Sequence, residues 1–327
     1  MRFIVFGAGA IGGVIGARLF ESGYDVTLVA RGDHLKAIQR DGLRLHDVNG
    51  DRRLRIPAVE ELESATAQLP ETVLILAVKS QHTAQAIELL RLAAQPGTPI
   101  VCAQNGMANE RHALRFFSHV YGAHVFLPAT HTEPGVVQAH NAPVPGLVDV
   151  GRYPLGSDDC AVGLAAALRV AGFDSKTQDD IMSWKREKLI VNLGTAVEAI
   201  CGKAAASGPL VEIARAEGRA VFDAAGLHLP SPEAAAKRLQ IATHTVIPRA
   251  GGSTWQSLHR QVGGVETDYI NGEIVLLGRL HNVPTPANEL ICRHAVRLAA
   301  DKMPPGSVPE SDLLNTLVPS TNPQIQA

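Results

Sequence analysis

Arg2-Phe3-Ile4-Val5-Phe6-Gly7-Ala8-Gly9-Ala10-Ile11-Gly12-Gly13 opens the chain and decides its fold. Residues 2–6 are a short, β-rich apolar run, the form taken by a strand buried on both faces. The glycine-rich turn behind it leads into a segment where Ile11, Ile15 and Leu19 recur every four residues, on one side of a helix. Gly23 offers that helix a stop, and residues 25–30 read as a second strand. Strand, glycine turn, helix and strand within about 30 residues make one βαβ unit.

The glycine spacing, Gly7-x-Gly9-x-x-Gly12, has a physical meaning in that setting. The first glycine permits the tight turn, the second lets backbone approach a pyrophosphate, and the third lets the helix pack against the strand. Unpaired N–H groups and the helix dipole then favour an anion at the helix N-terminus. Gly7, Ala8, Gly9, Ala10, Ile11 and Gly12 are therefore the expected dinucleotide contacts. A glycine-rich turn without a ligand is the bland alternative. Sites that take NAD usually place an acidic residue at the end of the second strand, to hold the ribose 2′-hydroxyl. Here Ala30 is followed by Arg31, whose guanidinium suits a 2′-phosphate and so favours NADP(H). A solvated surface arginine is the alternative.

Working outward, strand-like runs recur at 43–45, 54–56, 73–78, 100–103, 125–126 and 147–150. Between the third and fourth, Ala86, Leu89, Leu90 and Ala93 share a helical face. Strands alternating with helices predict a mostly parallel sheet covered on both sides. From about residue 178, strand signals fade and alanine-rich helical periods take over, near 180–201, 209–225, 232–246, 266–281 and 286–301. The expected fold is α/β: an N-terminal Rossmann-type doubly wound parallel sheet (1–177), a C-terminal all-helical domain (178–303) and a flexible tail (304–327) rich in Pro, Ser and Asn.

One helical segment carries an unusual polar stripe. Trp184, Lys188 and Asn192 are spaced by four and share a face, while Leu189, Ile190, Val191 and Leu193 surround the two polar groups. A lysine and an asparagine partly sunk in an apolar wall need partners or a task. Desolvation lowers a lysine's pKa toward useful acid–base range, which makes Lys188 the candidate proton donor. Its alternative is a snorkelling surface lysine. Lys185 and Arg186 lie on other faces and read as solvent charges.

Composition excludes several classes. The chain has 327 residues, 46% of them hydrophobic and 19% charged, an ordinary globular balance that argues against disorder over most of its length. Lys and Arg total 30 against 32 Asp and Glu, for a net charge of -2, so no positive excess drives binding to nucleic acid or an anionic membrane. The four cysteines lie far apart with no CxxC pair, which fits a reducing compartment. No apolar run reaches the roughly 18–20 residues that span a bilayer, and the structural motif at residue 2 leaves no room for a signal peptide. A cytoplasmic enzyme is expected. The 13 histidines are dispersed without metal-ligand spacing, and no GxSxG elbow occurs.

Taken together, the landmarks resemble the ketopantoate reductase (2-dehydropantoate 2-reductase) family from residue 1 to about residue 301. They are Gly7–Gly12; Ala77-Val78-Lys79; Gln104-Asn105-Gly106; Lys188-Leu189-Ile190-Val191-Asn192 behind Trp184; Glu266-Thr267-Asp268-Tyr269-Ile270-Asn271-Gly272; and Val283-Pro284-Thr285-Pro286. The resemblance implies NADPH-dependent reduction of a 2-oxo acid and pantothenate biosynthesis; the apolar helical domain leaves room for a homodimer. It implies Lys188 as general acid, Asn192 as a substrate-binding asparagine, Lys79 and Asn105 beside the cofactor with Asn105 also near the substrate, and Arg31 on the 2′-phosphate. Glu266 would contact the cofactor, and Ser253 and Thr254 would hold the substrate carboxylate. Local chemistry alone also allows Glu266 as a helix-capping carboxylate and Asn105-Gly106 as a turn pair. The loop around His131 is expected near the nicotinamide by topology.

Three departures bear on the substrate. Ala196 stands where many members carry a second asparagine, Ser207 replaces a further one, and Ser253-Thr254-Trp255-Gln256-Ser257-Leu258 lacks the family's aspartate. Losing a hydrogen-bond partner at the far end of the substrate redirects specificity, so a different 2-oxo acid or ketone is the runner-up. A non-catalytic dinucleotide sensor is the reading from another class; it has no use for Lys188 together with Asn192.

Overall fold

The computed structural model describes residues 1–62, 70–240, 244–261 and 263–317. The opening run folds as β1 (Arg2–Phe6), flanked by β2 (Asp25–Val29) and β6 (Thr72–Leu76). The seven-stranded sheet has the order β11-β8-β7-β6-β1-β2-β5, with β5 at Ala58–Val59, β7 at Ile100–Cys102, β8 at Val120–Phe126 and β11 at Leu147–Arg152. Neighbours from β5 to β8 run parallel, and β11 pairs antiparallel with β8. The strand order reverses at β1, where β6 lies on one side and β2 on the other, the switch point at which an open α/β sheet leaves a crevice.

Both faces are covered, which explains why the strands read as unbroken apolar runs. Along β1, Phe3 and Val5 join the core built with helices Ala10–Glu21 and Asp159–Val170. Ile4 and Phe6 join the opposite core, which includes Ile87 and Leu90 of helix Thr83–Ala93. On that helix Ile87 is buried and the expected Leu89 is 50% exposed, because the inward stripe runs Ala86, Ile87, Leu90, Ala93. A second sheet, order β4-β3-β10-β9, comprises β3 (Leu43–Asp47), β4 (Gly50–Leu54), β9 (Ala129–Thr130) and β10 (Val136–Ala139).

Several expected helices change. The one expected over 180–201 is two, Ile181–Asn192 and Gly194–Cys201. The one expected over 232–246 covers Pro232–Gln240; Thr245 instead bridges to Asn141, and 241–243 lie outside the described residues. Asn271–His281 follows a 3-10 turn, Thr267–Tyr269, from which it is separated by Ile270 at φ -115 and ψ -81. Helices at Gly32–Asp41, Asp159–Val170 and Ser253–His259 were not expected. Within the expected tail, Glu310–Leu317 is helical, buries Leu313, and is tied down where the Glu310 carboxylate accepts the Leu210 N–H at 3.0 Å. Residues 318–327 lie outside the described residues.

The chain clusters into two compact units, Met1–Leu189 with Leu229–Ala250, and Ile190–His228 with Gly251–Ala327. The division falls after Leu189, not at the expected 177/178, because the first two turns of Ile181–Asn192 pack onto the sheet. Ile181 lies against Gly122 and Gly151, and Lys185 pairs with Glu110. Residues 229–250 return to the first unit through polar anchors. Thr245 Oγ1 donates to Asn141 Oδ1 at 3.0 Å, and the Val246 and Ile247 N–H groups donate to the His140 carbonyl. Arg238, only 5% exposed, donates Nε–H to Asp149 Oδ2 at 2.8 Å and also pairs with Asp174. Asp149 is fully buried. Burial alone would raise its carboxyl pKa, but the His124 ring 3.8 Å away and the hydrogen-bonded Arg238 guanidinium prevail and hold it at about 2.

Candidate active site

The glycine turn is shaped by contacts only glycine tolerates. Gly7 sits at φ +105, with Val78 closing on it, and its N–H and that of Ala8 both donate to the Val29 carbonyl. A Cβ on Gly12 would fall 2.1 Å from the Gly7 carbonyl oxygen and 2.9 Å from Ala77 Cβ. Gly9 differs: it has ordinary φ -70, begins helix Ala10–Glu21, and a Cβ there would meet nothing within 4 Å. Gly12 is thus required by the protein's own packing, whereas space stands open beside Gly9. Gly12→Ala should lower stability by about 1–3 kcal/mol, since backbone must shift. Gly9→Ala should leave the unfolding midpoint unchanged and weaken dinucleotide binding. Denaturant unfolding and cofactor titration of both variants check this; a Gly9→Ala protein binding like wild type would sink the pyrophosphate assignment.

His34, which sequence reasoning missed, supports this turn from helix Gly32–Asp41. The Gly135 N–H donates to its Nδ1 at 2.8 Å, so the ring proton sits on Nε2, which donates to the Ala8 carbonyl at 2.8 Å. Burial lowers its pKa and keeps it neutral, a backbone hydrogen bond to Ala8 opposing. His131 packs against it at a tilt of 49°, with ring centroids 4.1 Å apart. Arg31 stands exposed just beyond β2, at the start of the same helix.

The C-terminal ends of β6 and β7 bring the next residues together. Lys79 follows β6, and Ser80 Oγ, beside it, donates to the Asn105 carbonyl at 3.3 Å. Asn109 Nδ2 donates to that same carbonyl at 3.0 Å, Thr83 Oγ1 donates to Asn109 Oδ1 at 2.7 Å, and Gln104 Nε2 donates to Thr83 Oγ1 at 2.6 Å. Gly106 at φ +76 turns the chain away. Asn105-Gly106 is therefore a turn pair, and its side chain is also aimed: Lys188 Nζ donates to Asn105 Oδ1 at 2.8 Å and to the Val125 carbonyl. Lys188 is half-buried, with Nζ 5.8 Å from the Phe126 ring centroid. Trp184, one turn earlier, lies 5.8 Å from the His124 ring. His124 is held neutral by burial, against the pull of Asp149.

Lys185 corrects the sequence reading. It is no solvent charge: its side chain is 2% exposed, and Nζ lies 2.5 Å from the fully buried Glu110 carboxylate. It also donates to the Gln104 carbonyl at 2.9 Å. Arg186 is likewise half-buried, its pKa lowered by burial although Asp180 opposes this.

The helical unit holds the remaining expected residues. Thr195 Oγ1 donates to the Asn192 carbonyl at 2.8 Å and lies 3.5 Å from Thr254 Oγ1, so Asn192 and Thr254 are near neighbours. Ser253 is half-buried beside Thr254, and the Gly252 N–H before it donates to Glu198 Oε2 at 3.2 Å. Trp255 stacks on His259, with centroids 4.7 Å apart. Ala196 and Leu258 are both buried. Glu266, 5% exposed, precedes the 3-10 turn and makes no side-chain capping bond to it, so the bland capping reading does not describe it. Among the described residues, no group of three or more His, Cys, Asp or Glu could hold a metal ion, and no helix is long and apolar enough to cross a membrane.

Comparison with known proteins identifies the family and the fold. The chain is 28% identical to the 2-dehydropantoate 2-reductase of Pyrococcus horikoshii, over 89% of this chain and 95% of that one. Among solved structures, a PanE/ApbA family ketopantoate reductase from Ralstonia eutropha JMP134 superposes with TM-score 0.76 at 29% identity, covering 92% and 99% of the two chains. A D-mandelate dehydrogenase solved with NADH and anilino(oxo)acetate shares the fold, with TM-score 0.81 at 22% identity over 93% and 100%. Residues 3–154 match the ketopantoate reductase PanE/ApbA family and residues 180–298 match its C-terminal region. The chain belongs to the ketopantoate reductase family, NADP(H)-using oxidoreductases that act on CH–OH groups.

Proposed function

We propose that this protein reduces a 2-oxo acid to the 2-hydroxy acid with NADPH, with 2-dehydropantoate (ketopantoate), converted to pantoate, as its substrate. The observation that carries the reading is Lys188, a half-buried ammonium held by Asn105 Oδ1 and the Val125 carbonyl at the C-terminal ends of the sheet strands. Catalytic groups of doubly wound sheets gather at those ends.

The residues present fit the cofactor. The open space beside Gly9 and the helix N-terminus behind it would take the pyrophosphate, and exposed Arg31 would take the 2′-phosphate. Lys79 and Glu266 would complete its contacts. Bound NADPH supplies the hydride that reduces the keto carbon.

Lys188 answers the charge that develops on the substrate's carbonyl oxygen. Its ammonium stabilises that oxygen and then protonates it. Two of the groups holding Nζ are neutral oxygens, which fix its direction without neutralising it. Asn105 orients Lys188 and borders the substrate. Asn192 binds the substrate one turn further along, and the Ser253 and Thr254 hydroxyls donate to its carboxylate.

The test is NADPH oxidation with ketopantoate, run beside pyruvate, 2-oxoisovalerate and bulkier 2-oxo acids. Ketopantoate should be preferred. Tight NADPH binding without ketopantoate turnover would overturn the substrate assignment and leave the cofactor reading standing. In the same assay, Arg31→Ala should weaken NADPH roughly 10- to 100-fold, the worth of a charged hydrogen-bonding group, and leave NADH unchanged.

A further inference from the structure

We infer that Lys185 and Glu110 form a buried ionic clamp that positions Asn105, and through it Lys188, for the reaction. This rests on the proton-donor reading of Lys188. Lys185 Nζ reaches under the loop leaving β7, 2.9 Å from the Gln104 carbonyl and 3.5 Å from that of Cys102. Its charge partner is Glu110, 2.5 Å away and fully buried. Glu110 belongs to the short helix Asn109–Ala113, and its neighbour Asn109 holds the Asn105 carbonyl. The clamp therefore grips the residue before Asn105 through Lys185 and the helix after it through Glu110.

The two lysines are three residues apart on one helix, and both end on one loop. Lys185 holds its backbone, and Lys188 meets the Asn105 side chain. Moving Lys185 changes where both the loop and the helix stand, and with them the direction of the Lys188 ammonium. A buried ion pair is no efficient way to add stability, because desolvation offsets much of the attraction. A close buried charge pair, with the directional bond from Lys185 to the Gln104 carbonyl beside it, is a good way to fix one geometry. Lys185 and Glu110 act through Asn105 and Lys188; they are positioning residues.

The experiment compares wild type with Lys185→Met/Glu110→Leu, which replaces both charges by apolar groups of similar size and so leaves no buried ion unpaired. NADPH titration counts binding sites, and kcat is expressed per site. The double variant should fold, bind NADPH within about threefold of wild type, and lose ~30- to 100-fold in kcat with little change in KM, the scale of a misplaced catalytic group. A kcat per site within threefold of wild type would overturn the inference. Where the double variant fails to fold, Glu110→Gln decides it: kcat should fall roughly five- to tenfold at unchanged site count, and an unchanged kcat refutes the clamp. Lys188→Ala runs alongside. If that protein keeps turnover, the underlying reading fails; if it is inactive while the double variant is fully active, only the positioning role fails.

Discussion

Lys188→Ala should lower kcat by about three to four orders of magnitude while NADPH still binds. The size follows from the two tasks assigned to one ammonium. Proton donation by a placed group contributes roughly 10²- to 10⁴-fold, and removing one donor from a developing oxyanion costs a further 10²- to 10³-fold, with partial overlap because one group does both. The total is about 4–5.5 kcal/mol of barrier. The partners of Lys188 predict where the loss appears. Asn105 Oδ1 and the Val125 carbonyl belong to the strand ends and stay in place without it. The glycine turn is built from Gly7, Gly12 and Val78. Single-turnover kinetics should show the slow step in hydride transfer, with NADPH Kd within a fewfold of wild type. A variant that retains most of its turnover would remove Lys188 from the reaction.

Arg238→Met should destabilise the protein by about 3–5 kcal/mol, the cost of leaving a buried charge without its partner. That is a large share of the roughly 5–15 kcal/mol that holds a domain folded. Asp149 is fully buried, and with the guanidinium gone it keeps Gln178 Nε2 at 3.2 Å and the Lys176 N–H at 2.9 Å, neither of them a countercharge. Urea unfolding followed by circular dichroism measures the loss. Arg238→Met/Asp149→Asn should recover part of it, because the orphaned charge is removed as well. The pair also predicts an acid limb. The Asp149 carboxyl is held at about 2 when folded and near 3.9 when unfolded. Its contribution is complete above the unfolded value and disappears as pH falls from about 4 to 2, roughly 2–3 kcal/mol in all. Arg238→Met should flatten that limb; an unchanged acid limb would mean the pair contributes nothing to stability.

Much of the first unit was legible because its signals are local. Residues 2–13 carry strand, turn and helix start within one stretch, and the burial of both sheet faces turns each central strand into a plain apolar run. The half-buried, partnered setting of Lys188 was legible through its stripe with Trp184 and Asn192. Lys185 was not, for a physical reason. Its helix packs on more than one side, so a charge off the marked face reads as solvent-facing until Glu110 arrives from another part of the fold. His34 escaped for the same cause: both backbone partners, Ala8 and Gly135, lie far from it in sequence. The helical periods at 209–224 and 286–300 were clear. The helix expected over 232–246 is described over Pro232–Gln240, and Thr245 bridges to Asn141 instead. Periodicity records which side of a helix is apolar, not which distant residue will bridge to its end.

The return of residues 229–250 to the sheet-bearing unit means that no one cut releases either unit whole. Expressed alone, a fragment ending at Leu189 would carry Asp149 without Arg238 and leave His140 without Val246 and Ile247. It would therefore be a damaged protein and not a minimal cofactor-binding module. Its complement would fare no better, since residues 190–228 and 251–317 would be strung together by a 22-residue stretch with nothing to dock on. For anyone seeking the smallest working piece of this molecule, the practical answer is a circularly permuted or loop-bridged chain that keeps 229–250 with residues 1–189, because the stretch that reads as one more helix of the second half is, thermodynamically, property of the first.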